Sequence, residues 1–533
     1  MNNSDLIVRA LKNAGVTHGF GIPSGNVLPF IEAMRKGGIE YVLTAHEGSA
    51  AFAADVTGRM TNVPGLCIAT LGPGATNLAT GVGSAYLDRS PMIAITCNLN
   101  SHQLGRRIQM IIDHHALFRP ITKATLAATF DNVADVIQQA ITIATTEPMG
   151  PVHIDLPEDV SLANVTTAVP EQIAAPPLAL AQIDEFTRSG EVLSAASRPI
   201  AIIGASAMRM KNPERIATFL EKNNIPFATT TMAKGLIDDD HSLALGCIER
   251  ARRQLQRRLL QQSDLIIGIG YDTIEVEYEA WIKSVPLLAV DIETPDVADS
   301  VNLVATIVGD LDDSIARLEN LAPLTSAWTE AEITTHRHEF QQALRPAGNG
   351  FKPHELIDTV REILPRDGIL SFDVGAHTHQ IASQWPAHSP RSFLITNGWS
   401  SMGFGLPGAI AAKIARPDLP VVCLLGDGCF QMTCGELAVA KRLNLQLPVV
   451  VIDDRWLSLI QIKQHRRNYE IYGSNVEPGD YQAPPSHYFG VPAIGVTDNA
   501  ALGDALRTAL ATDGPTVIEA IVNADHYMET VFD

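Results

Sequence analysis

The sequence has few of the features that mark membrane, secreted or zinc-binding proteins. No apolar stretch approaches the ~18 residues needed to span a bilayer, and the N-terminal residues lack a basic-then-apolar signal pattern. The six cysteines have no CxxC spacing, which argues against a disulfide framework or a zinc site. We therefore expect a protein of the reducing cytoplasm without a membrane partner.

Positive charge is also scarce. Lys and Arg total 39 against 59 Asp and Glu, which gives a formal net charge of −20. The strongest basic cluster, residues 250–258, interleaves Arg with Gln and Leu and is typical of a solvated helix face. Because nucleic-acid binding needs a basic surface to neutralise phosphates, we expect no nucleic-acid partner.

The residues that are present indicate an α/β protein. Short apolar runs such as 65–71 and 91–96 alternate with helix-like segments, which is typical of strands buried on both faces of a parallel sheet. An Ala- and Pro-rich connector is expected at 160–185. The pattern predicts three doubly wound domains with mostly parallel sheets, at residues 1–165, 186–325 and 350–533.

The middle block raises the question of a bound nucleotide. The strand predicted at 198–204 ends in glycine, as strands of dinucleotide-binding folds do. The following residues do not form G-x-G-x-x-G, and the pair Gly268 and Gly270 lacks the third glycine. We favour tight strand-to-helix turns, with a bound or vestigial nucleotide as the alternative.

The most informative segment is Gly426-Asp427-Gly428, which follows an apolar strand. A second strand, about two dozen residues later, ends at Asp453-Asp454. Glycines let the backbone approach an anion, and carboxylate oxygens suit Mg²⁺, which binds a few protein oxygens together with ligand phosphates. The pattern predicts a Mg²⁺–diphosphate site where these strands end. An ordinary turn is the alternative for the glycine motif alone.

This spacing resembles the signature of thiamine-diphosphate-dependent enzymes. Residues 41–50, 72–77 and 401–407 resemble motifs of the acetolactate synthase and 2-oxo acid decarboxylase group, so that the resemblance covers nearly the whole chain. It implies a pyrimidine-binding first domain, a Rossmann-like middle domain and a third domain that binds diphosphate and Mg²⁺. It also implies thiamine diphosphate as coenzyme and a cleft between two subunits of a homodimer or homotetramer.

The resemblance assigns roles to individual residues. Glu47 matches the catalytic glutamate that bonds the coenzyme's aminopyrimidine, Met402 the side chain that props the bent coenzyme, and Ser400 the carbonyl that orients its amine. The alternatives are a surface helix-start residue for Glu47 and core packing for Met402. The other matching coenzyme-binding positions are Pro73, Asn77, Gly375, Ala376, His377, Gly426, Asp427, Gly428, Cys429, Leu457 and Ser458.

The Mg²⁺ ligands implied by the resemblance are the side chains of Asp427 and Asp454 and the main-chain oxygen of Trp456. The family commonly has Asn at the second of these positions. An Asp there adds negative charge, so we expect tighter metal binding and less favourable phosphate binding.

The subgroup signals are divided. Residues 268–281 and 113–123 resemble FAD-independent acetolactate synthases, so FAD is not expected. In contrast, His114-His115 resembles the double histidine of pyruvate decarboxylases and implies catalytic proton transfer, with a buried structural pair as the alternative. Met110 stands where the synthases usually carry an active-site Gln, with a one-residue shift that brings the adjacent Gln109 to this place as the alternative.

The helix after the metal loop should line the substrate pocket. Lys463 occupies the place of a tryptophan in the biosynthetic synthases and could attract an acidic donor or acceptor, with a solvated helix end as the alternative. The candidate pocket residues are Ser24, Asn26, Met110, Ile460 and Lys463.

The sequence therefore predicts thiamine-diphosphate-dependent decarboxylation of a 2-oxo acid. The preferred outcome is carboligation to a second carbonyl, that of an aldehyde or a second 2-oxo acid, as in acetolactate synthases. Decarboxylation that releases an aldehyde is the alternative. A family member that binds the coenzyme without catalysis is a further alternative, against which the presence of Glu47, Met402 and Asp427 argues.

Overall fold

The computed structural model describes residues 1–165, 167–171, 175–321, 324, 326–476 and 484–531. These residues form three sheets, each flanked by helices, and all strand pairings except one are parallel. The prediction of three α/β domains with mostly parallel sheets is confirmed. No helix within the described ranges is long and apolar enough to cross a bilayer.

The first sheet has the strand order β2-β1-β3-β4-β6-β5. Its strands are β1 (His18–Gly21), β2 (Glu40–Leu43), β3 (Gly65–Thr70), β4 (Met92–Asn98), β5 (Ala124–Ala127) and β6 (Pro151–Pro157). Its helices are α1 (Asn3–Asn13), α2 (Leu28–Gly37), α3 (Glu47–Thr61), α4 (Pro73–Leu87), α5 (His114–Phe118), α6 (Val133–Thr145) and α7 (Glu158–Leu162).

The middle sheet has the order β12-β11-β10-β7-β8-β9. Its strands are β7 (Pro199–Ile203), β8 (Phe227–Thr229), β9 (Ala244–Cys247), β10 (Leu265–Ile269), β11 (Leu287–Asp291) and β12 (Leu303–Val308). The helices of this part of the chain are α8 (Ile183–Ala195), α9 (Glu214–Lys222), α10 (Arg253–Leu260), α11 (Glu279–Ile282), α12 (Leu311–Glu319) and α13 (Glu330–Ala343).

The third sheet has the order β14-β13-β15-β16-β19-β18-β17, with β17 antiparallel to its neighbour. Its strands are β13 (Ile369–Phe372), β14 (Phe393–Leu394), β15 (Val421–Gly426), β16 (Leu447–Asp453), β17 (His487–Tyr488), β18 (Val491–Val496) and β19 (Pro515–Ile521). Its helices are α14 (Pro353–Ile363), α15 (Ala376–Gln384), α16 (Gly405–Ala415), α17 (Asp427–Thr433), α18 (Leu437–Arg442), α19 (Ser458–Arg466), α20 (Asn499–Leu510) and α21 (Tyr527–Thr530).

The three sheets fall inside the domain limits expected from sequence, although the exact limits stay a prediction. Part of the connector expected at 160–185, residues 166 and 172–174, lies outside the described residues, and its last residues begin α8. The basic cluster predicted on a helix face lies partly on α10, which begins at Arg253.

One hydrophobic core joins the first and third domains. Helix α3 packs against both α4 and α16, and the rings of Phe52 on α3 and Phe404 just before α16 meet edge to face at 5.7 Å. Small residues allow this close approach: a Cβ on Gly81 of α4 would lie 2.4 Å from the Cβ of Ala51. The two domains thus hold their sheets, and the residues at the ends of their strands, in a fixed relation.

A buried ion-pair network lies beside this core. Arg59 on α3 pairs with Asp55 at 2.7 Å and with Asp88 at 2.8 Å, and all three side chains are almost fully buried. Asp88 also accepts backbone N–H bonds from Asn397 and Gly398 of the third domain. This network therefore fixes the segment that leads from β14 to Ser400 and Met402.

We expect Asp88→Ala to destabilise the protein strongly, because it leaves the buried guanidinium of Arg59 and two backbone donors with less compensation. Breaking a buried ion pair costs on the order of 3–5 kcal/mol. The measurement is the midpoint of urea unfolding. The matched control is Asp504→Ala, which removes the exposed pair with Arg507 and should cost only about 0–1 kcal/mol. Equal midpoints for the two variants would contradict this assignment.

Candidate functional site

Three carboxyl groups meet at the carboxyl end of the third sheet. The adjacent parallel strands β15 and β16 end beside each other, so that Asp427, the first residue of α17, lies next to Asp453. Asp427 Oδ2 and Asp453 Oδ1 both accept the N–H of Arg455, at 2.6 and 3.1 Å. Asp454 turns its oxygens to the start of α19, where they accept the N–H of Trp456 at 2.9 Å and the hydroxyl of Ser458 at 2.7 Å.

The electrostatics of this cluster favour a bound cation. Burial, followed by the charges of Asp454 and Asp453, raises the pKa of Asp427 to about 8. Burial also raises the pKa of Asp454 to about 6. Among the described residues, Asp453 Oδ2 and the buried hydroxyl of Tyr527 have no hydrogen-bond partner. A divalent cation would offset the crowded negative charge, and carboxylate oxygens are the ligands that Mg²⁺ prefers.

A cavity of about 660 Å³ opens beside these acids, lined among others by Asp454, Ser458, Gln461 and Asn523. Asp453 was named from the sequence only as one half of the acidic pair. Its burial at the end of β16 shows that the strand end brings both acids to this edge.

Glycines surround a buried histidine on the neighbouring loop. His377, in the first turn of α15, lies so close to Gly375 and Gly426 that a Cβ on either glycine would be under 3 Å from the imidazole. Burial lowers the pKa of His377 to about 4, and its Nε2 has no partner among the described residues. The backbones of β13 and β15 thus converge on one polar cradle, which suits a ligand with hydrogen-bonding oxygens.

Met402 reaches the same place. A Cβ on Gly428 would lie 3.3 Å from Met402 Cε and 2.9 Å from Leu457 Cδ2, so these three predicted residues share one small volume. Ser400 precedes them with φ of 51°, a left-handed conformation that few side chains adopt, and its hydroxyl donates to the carbonyl of Asn397.

Asp373 is a further residue of this site that the sequence analysis did not assign. It is fully buried, and its carboxylate accepts the N–H groups of Gly403 and Gly405, on the C-terminal side of Met402. Burial raises its pKa. The thiol of Cys429 donates to the neighbouring carbonyl of Val374. The available sequence signal was an acidic residue at the end of an apolar strand, directly before a glycine turn.

Glu47 lies at the first position of α3 and is 8% exposed. Its Oε2 accepts the side-chain N–H of Asn77, in the first turns of α4, at 3.0 Å. The preceding loop is held by Glu436, whose carboxylate accepts the N–H groups of Ala45 and His46 at 3.1 Å. Two helix N-termini and a carboxylate from the third domain therefore position Glu47.

The two predicted histidines have different surroundings. His114 is almost fully buried, and its Nε2 accepts the N–H of Gly72, directly before Pro73 at the start of α4. Its Nδ1 lies 3.0 Å from Thr96 Oγ1 and 3.1 Å from Asp155 Oδ1. Both ring nitrogens are thus engaged by the protein. His115 is half-buried, with Nδ1 bonded to a threonine hydroxyl.

The candidate pocket residues fall into two groups. In the first domain, Ser24 donates to Asn26 at 2.6 Å, and Met110, with φ of 66°, places its carbonyl against Gly72. Ile460 and Lys463 lie on α19 in the third domain. No hydrogen bond or ion pair between described residues joins Glu47 or the first group to Asp427 or the second. Their roles stay predictions.

Comparison with known proteins agrees with this arrangement. Residues 1–117 match the thiamine pyrophosphate enzyme N-terminal TPP binding domain, residues 187–318 the central domain, and residues 373–520 the C-terminal TPP binding domain.

Several relatives align along nearly the whole chain. A probable acetolactate synthase large subunit of Methanococcus aeolicus is 29% identical over 100% of this chain and 94% of its own length. The acetolactate synthase isozyme 1 large subunit of Escherichia coli is 29% identical over 98% and 94%. Acetolactate synthase 3, chloroplastic, of Brassica napus is 28% identical over 97% and 83%. The three domain models match in order along the chain, and the matched residues include the Glu47 loop and the acid cluster. The chain therefore belongs to the thiamine pyrophosphate enzymes.

Proposed function

We propose that this protein decarboxylates a 2-oxo acid with thiamine diphosphate and ligates the remaining fragment to a second carbonyl, as an acetolactate synthase does. The proposal is carried by the match of both TPP-binding domains, together with a buried acid cluster, a glycine cradle and Met402 at one edge of the third sheet. The acetolactate synthases among its relatives come from archaea, bacteria and plants and align over nearly the full chain.

The residues present fit the coenzyme and its metal. Asp427, Asp454 and the carbonyl of Trp456 would hold Mg²⁺, for which the crowded carboxyl groups are the supporting observation. The diphosphate would lie against the backbone of Gly375, Ala376, Gly426, Gly428 and Cys429, beside the unpartnered His377 Nε2 and close to Leu457 and Ser458.

When bound, thiamine diphosphate supplies the electron sink that makes loss of CO₂ from a 2-oxo acid possible. Glu47 would hold a proton at its carboxyl group against the aminopyrimidine ring, and Asn77 orients that carboxyl. Met402 would support the coenzyme, and the carbonyl of Ser400 would orient its amine. Asp373 would act through the backbone that follows Met402, because it fixes Gly403 and Gly405.

Carboligation is favoured over release of an aldehyde. The relatives that support the proposal are named acetolactate synthases. In addition, the engaged nitrogens of His114 suit a residue that positions the start of α4 rather than one that carries protons to a substrate. A catalytic role for His115 stays part of the prediction.

We further propose a homodimer or a higher homo-oligomer as the working form. Glu47 and Asp427 belong to different domains, and no hydrogen bond or ion pair between described residues joins their side chains. Met432 on α17 and Ile460 on α19, the helices that follow Asp427 and Asp454, are exposed, and a second copy would cover them. A cytoplasmic location is supported by the six cysteines, all unpaired.

FAD is not expected to be required. A dinucleotide would place its phosphates at the turn that follows β7 in the middle sheet. In this structure the side chain of Glu275 occupies that turn. Glu275 accepts the N–H of Ala205 at 2.8 Å and the hydroxyl of Thr230. This contact supports the expectation.

The substrate proposal is tested by incubating the protein with a panel of 2-oxo acids, thiamine diphosphate and Mg²⁺, while CO₂ and organic products are followed. We expect CO₂ release together with a hydroxyketone-type ligation product. A product consisting of aldehyde alone would retire the synthase proposal in favour of simple decarboxylation.

Glu47→Gln should lower the rate of CO₂ release by about 10²–10⁴-fold, the usual contribution of a general acid or base, while coenzyme binding persists. The matched control is Glu40→Gln, which changes an exposed glutamate of the same domain and should leave the rate unchanged. Equal activity of the Glu47→Gln variant and the parent protein would instead support a non-catalytic family member.

Asp427→Ala should abolish coenzyme retention, because it removes the central carboxyl of the proposed metal site. The measurement is equilibrium dialysis with labelled thiamine diphosphate, with and without Mg²⁺. Asp418→Ala, at an exposed aspartate of the same domain, is the control and should retain the coenzyme. Tight, Mg²⁺-dependent retention by the Asp427→Ala variant would refute the metal assignment.

A further inference from the structure

A small cavity lies where the three domains meet, away from the acid cluster. Its volume is about 60 Å³. The first domain contributes Arg59 and Arg89, the middle domain Met208 and Arg209, and the third domain Arg391. Phe393 and Leu394 also line it and begin the segment that reaches Ser400 and Met402.

Three of the four arginines around this cavity are already neutralised by carboxylates. Arg59 pairs with Asp55 and Asp88, and Arg89 pairs with Asp272 and Glu293. Arg209 pairs with Glu147 at 2.7 Å.

Arg391 is different. Its guanidinium donates only to neutral groups: the carbonyl of Met60 at 3.1 Å, the side-chain oxygen of Asn62 at 3.0 Å and the carbonyl of Met208 at 3.4 Å. No carboxylate among the described residues pairs with it, and the positive charge of Arg209 lies close enough to act with burial in lowering its pKa.

The backbone of Arg391 is also strained. Its φ is 60°, a left-handed conformation that costs on the order of 1–3 kcal/mol for a residue with a side chain. Such strain is typically kept where the side chain has a function. Arg391 is thus a half-buried cation that lines the cavity, lies near the cation Arg209 and has no carboxylate partner in the described part of the chain. Its backbone keeps a left-handed conformation.

The remaining lining defines what could fill the cavity. Met208, Met232, Phe393 and Leu394 are apolar, and the carboxylate of Asp88, which also lines the cavity, is paired with Arg59. A ligand would therefore need an apolar part as well as a negative charge directed at Arg391. The volume is far below the ~300–1,000 Å³ typical of sites for larger ligands. A nucleotide phosphate would also need the N–H of Ala205 at the edge of this cavity, and that N–H already donates to Glu275.

We propose that this cavity is a binding site for a short aliphatic monocarboxylate, whose carboxylate pairs with Arg391 and whose alkyl group lies against Met208, Met232 and Phe393. A monoanion matches the one guanidinium of this cavity that has no carboxylate partner among the described residues, and a hydrogen bond between charged groups is stronger than one between neutral groups. The site is separate from the coenzyme site, so this inference does not depend on the proposed function.

The test is a titration of the protein, loaded with thiamine diphosphate and Mg²⁺, with 2-methylpropanoate, followed by ligand-observed NMR. We expect saturable binding with Kd in the millimolar range, in keeping with one ion pair and little apolar contact. The neutral isostere 2-methylpropanamide should not bind measurably. Absence of binding by the carboxylate, or equal binding of the amide, would overturn the proposal.

Variants locate the binding. Arg391→Met keeps the length of the side chain but removes its charge, and should weaken binding by about tenfold or more. Ala205→Leu fills the cavity without changing Arg391 and should weaken binding to a similar extent. The matched control is Arg188→Met at an exposed position of α8, which should leave Kd unchanged.

Unchanged Kd in the Arg391→Met variant would show that the carboxylate binds elsewhere, for example at the substrate site, and would overturn the proposal. Folding is checked by thermal unfolding and by retention of the coenzyme. If Arg391→Met fails to fold, the comparison of Ala205→Leu with Arg188→Met decides in the same way, since both keep Arg391.

Discussion

Carboxyl groups buried at the ends of parallel strands need hydrogen-bond donors, a cation or a proton, because an uncompensated charge in the interior is very costly. The polar parts of this structure follow from that constraint. Asp373 obtains backbone N–H groups, Glu436 obtains the N–H groups of the loop before Glu47, and Asp88 obtains Arg59 and two more backbone donors. At Asp427 and its neighbours burial and mutual repulsion raise the pKa of Asp427 to about 8, and Asp453 Oδ2 has no partner among the described residues, which is why the metal ion is proposed there.

The same bonds connect the parts of the candidate site. Asp88 and Asp373 hold the two ends of the segment that carries Ser400 and Met402, one from the first domain and one from within the third. Glu436 lies shortly after α17, whose first residue is Asp427, and it holds the loop of Glu47. Residues that hold loops in place by hydrogen bonds therefore lie close in sequence to residues that are proposed to bind the coenzyme.

The sequence predicted much of this arrangement because its strongest signals are local. Short apolar runs that end in glycine specify buried parallel strands, and ligands of such sheets lie at the carboxyl ends of the strands. For that reason Asp427 and the Asp453-Asp454 pair could be assigned to one site before any contact was known, whereas Met402 was assigned through the resemblance to the family. Asp373, Glu436 and Arg391 could not, since their partners lie between about 30 and almost 400 positions away along the chain.

By itself, the sequence determined the α/β class, the three parallel sheets and the family, because these depend on residue type and spacing along the chain. Only the tertiary structure decided which charges are compensated. It gave His114 protein partners on both ring nitrogens, placed Glu275 at the turn that a nucleotide would need, and left Arg391 without a counter-ion among the described residues. The physical reason is that burial and pairing are set by distances between segments, which the order of residues does not state.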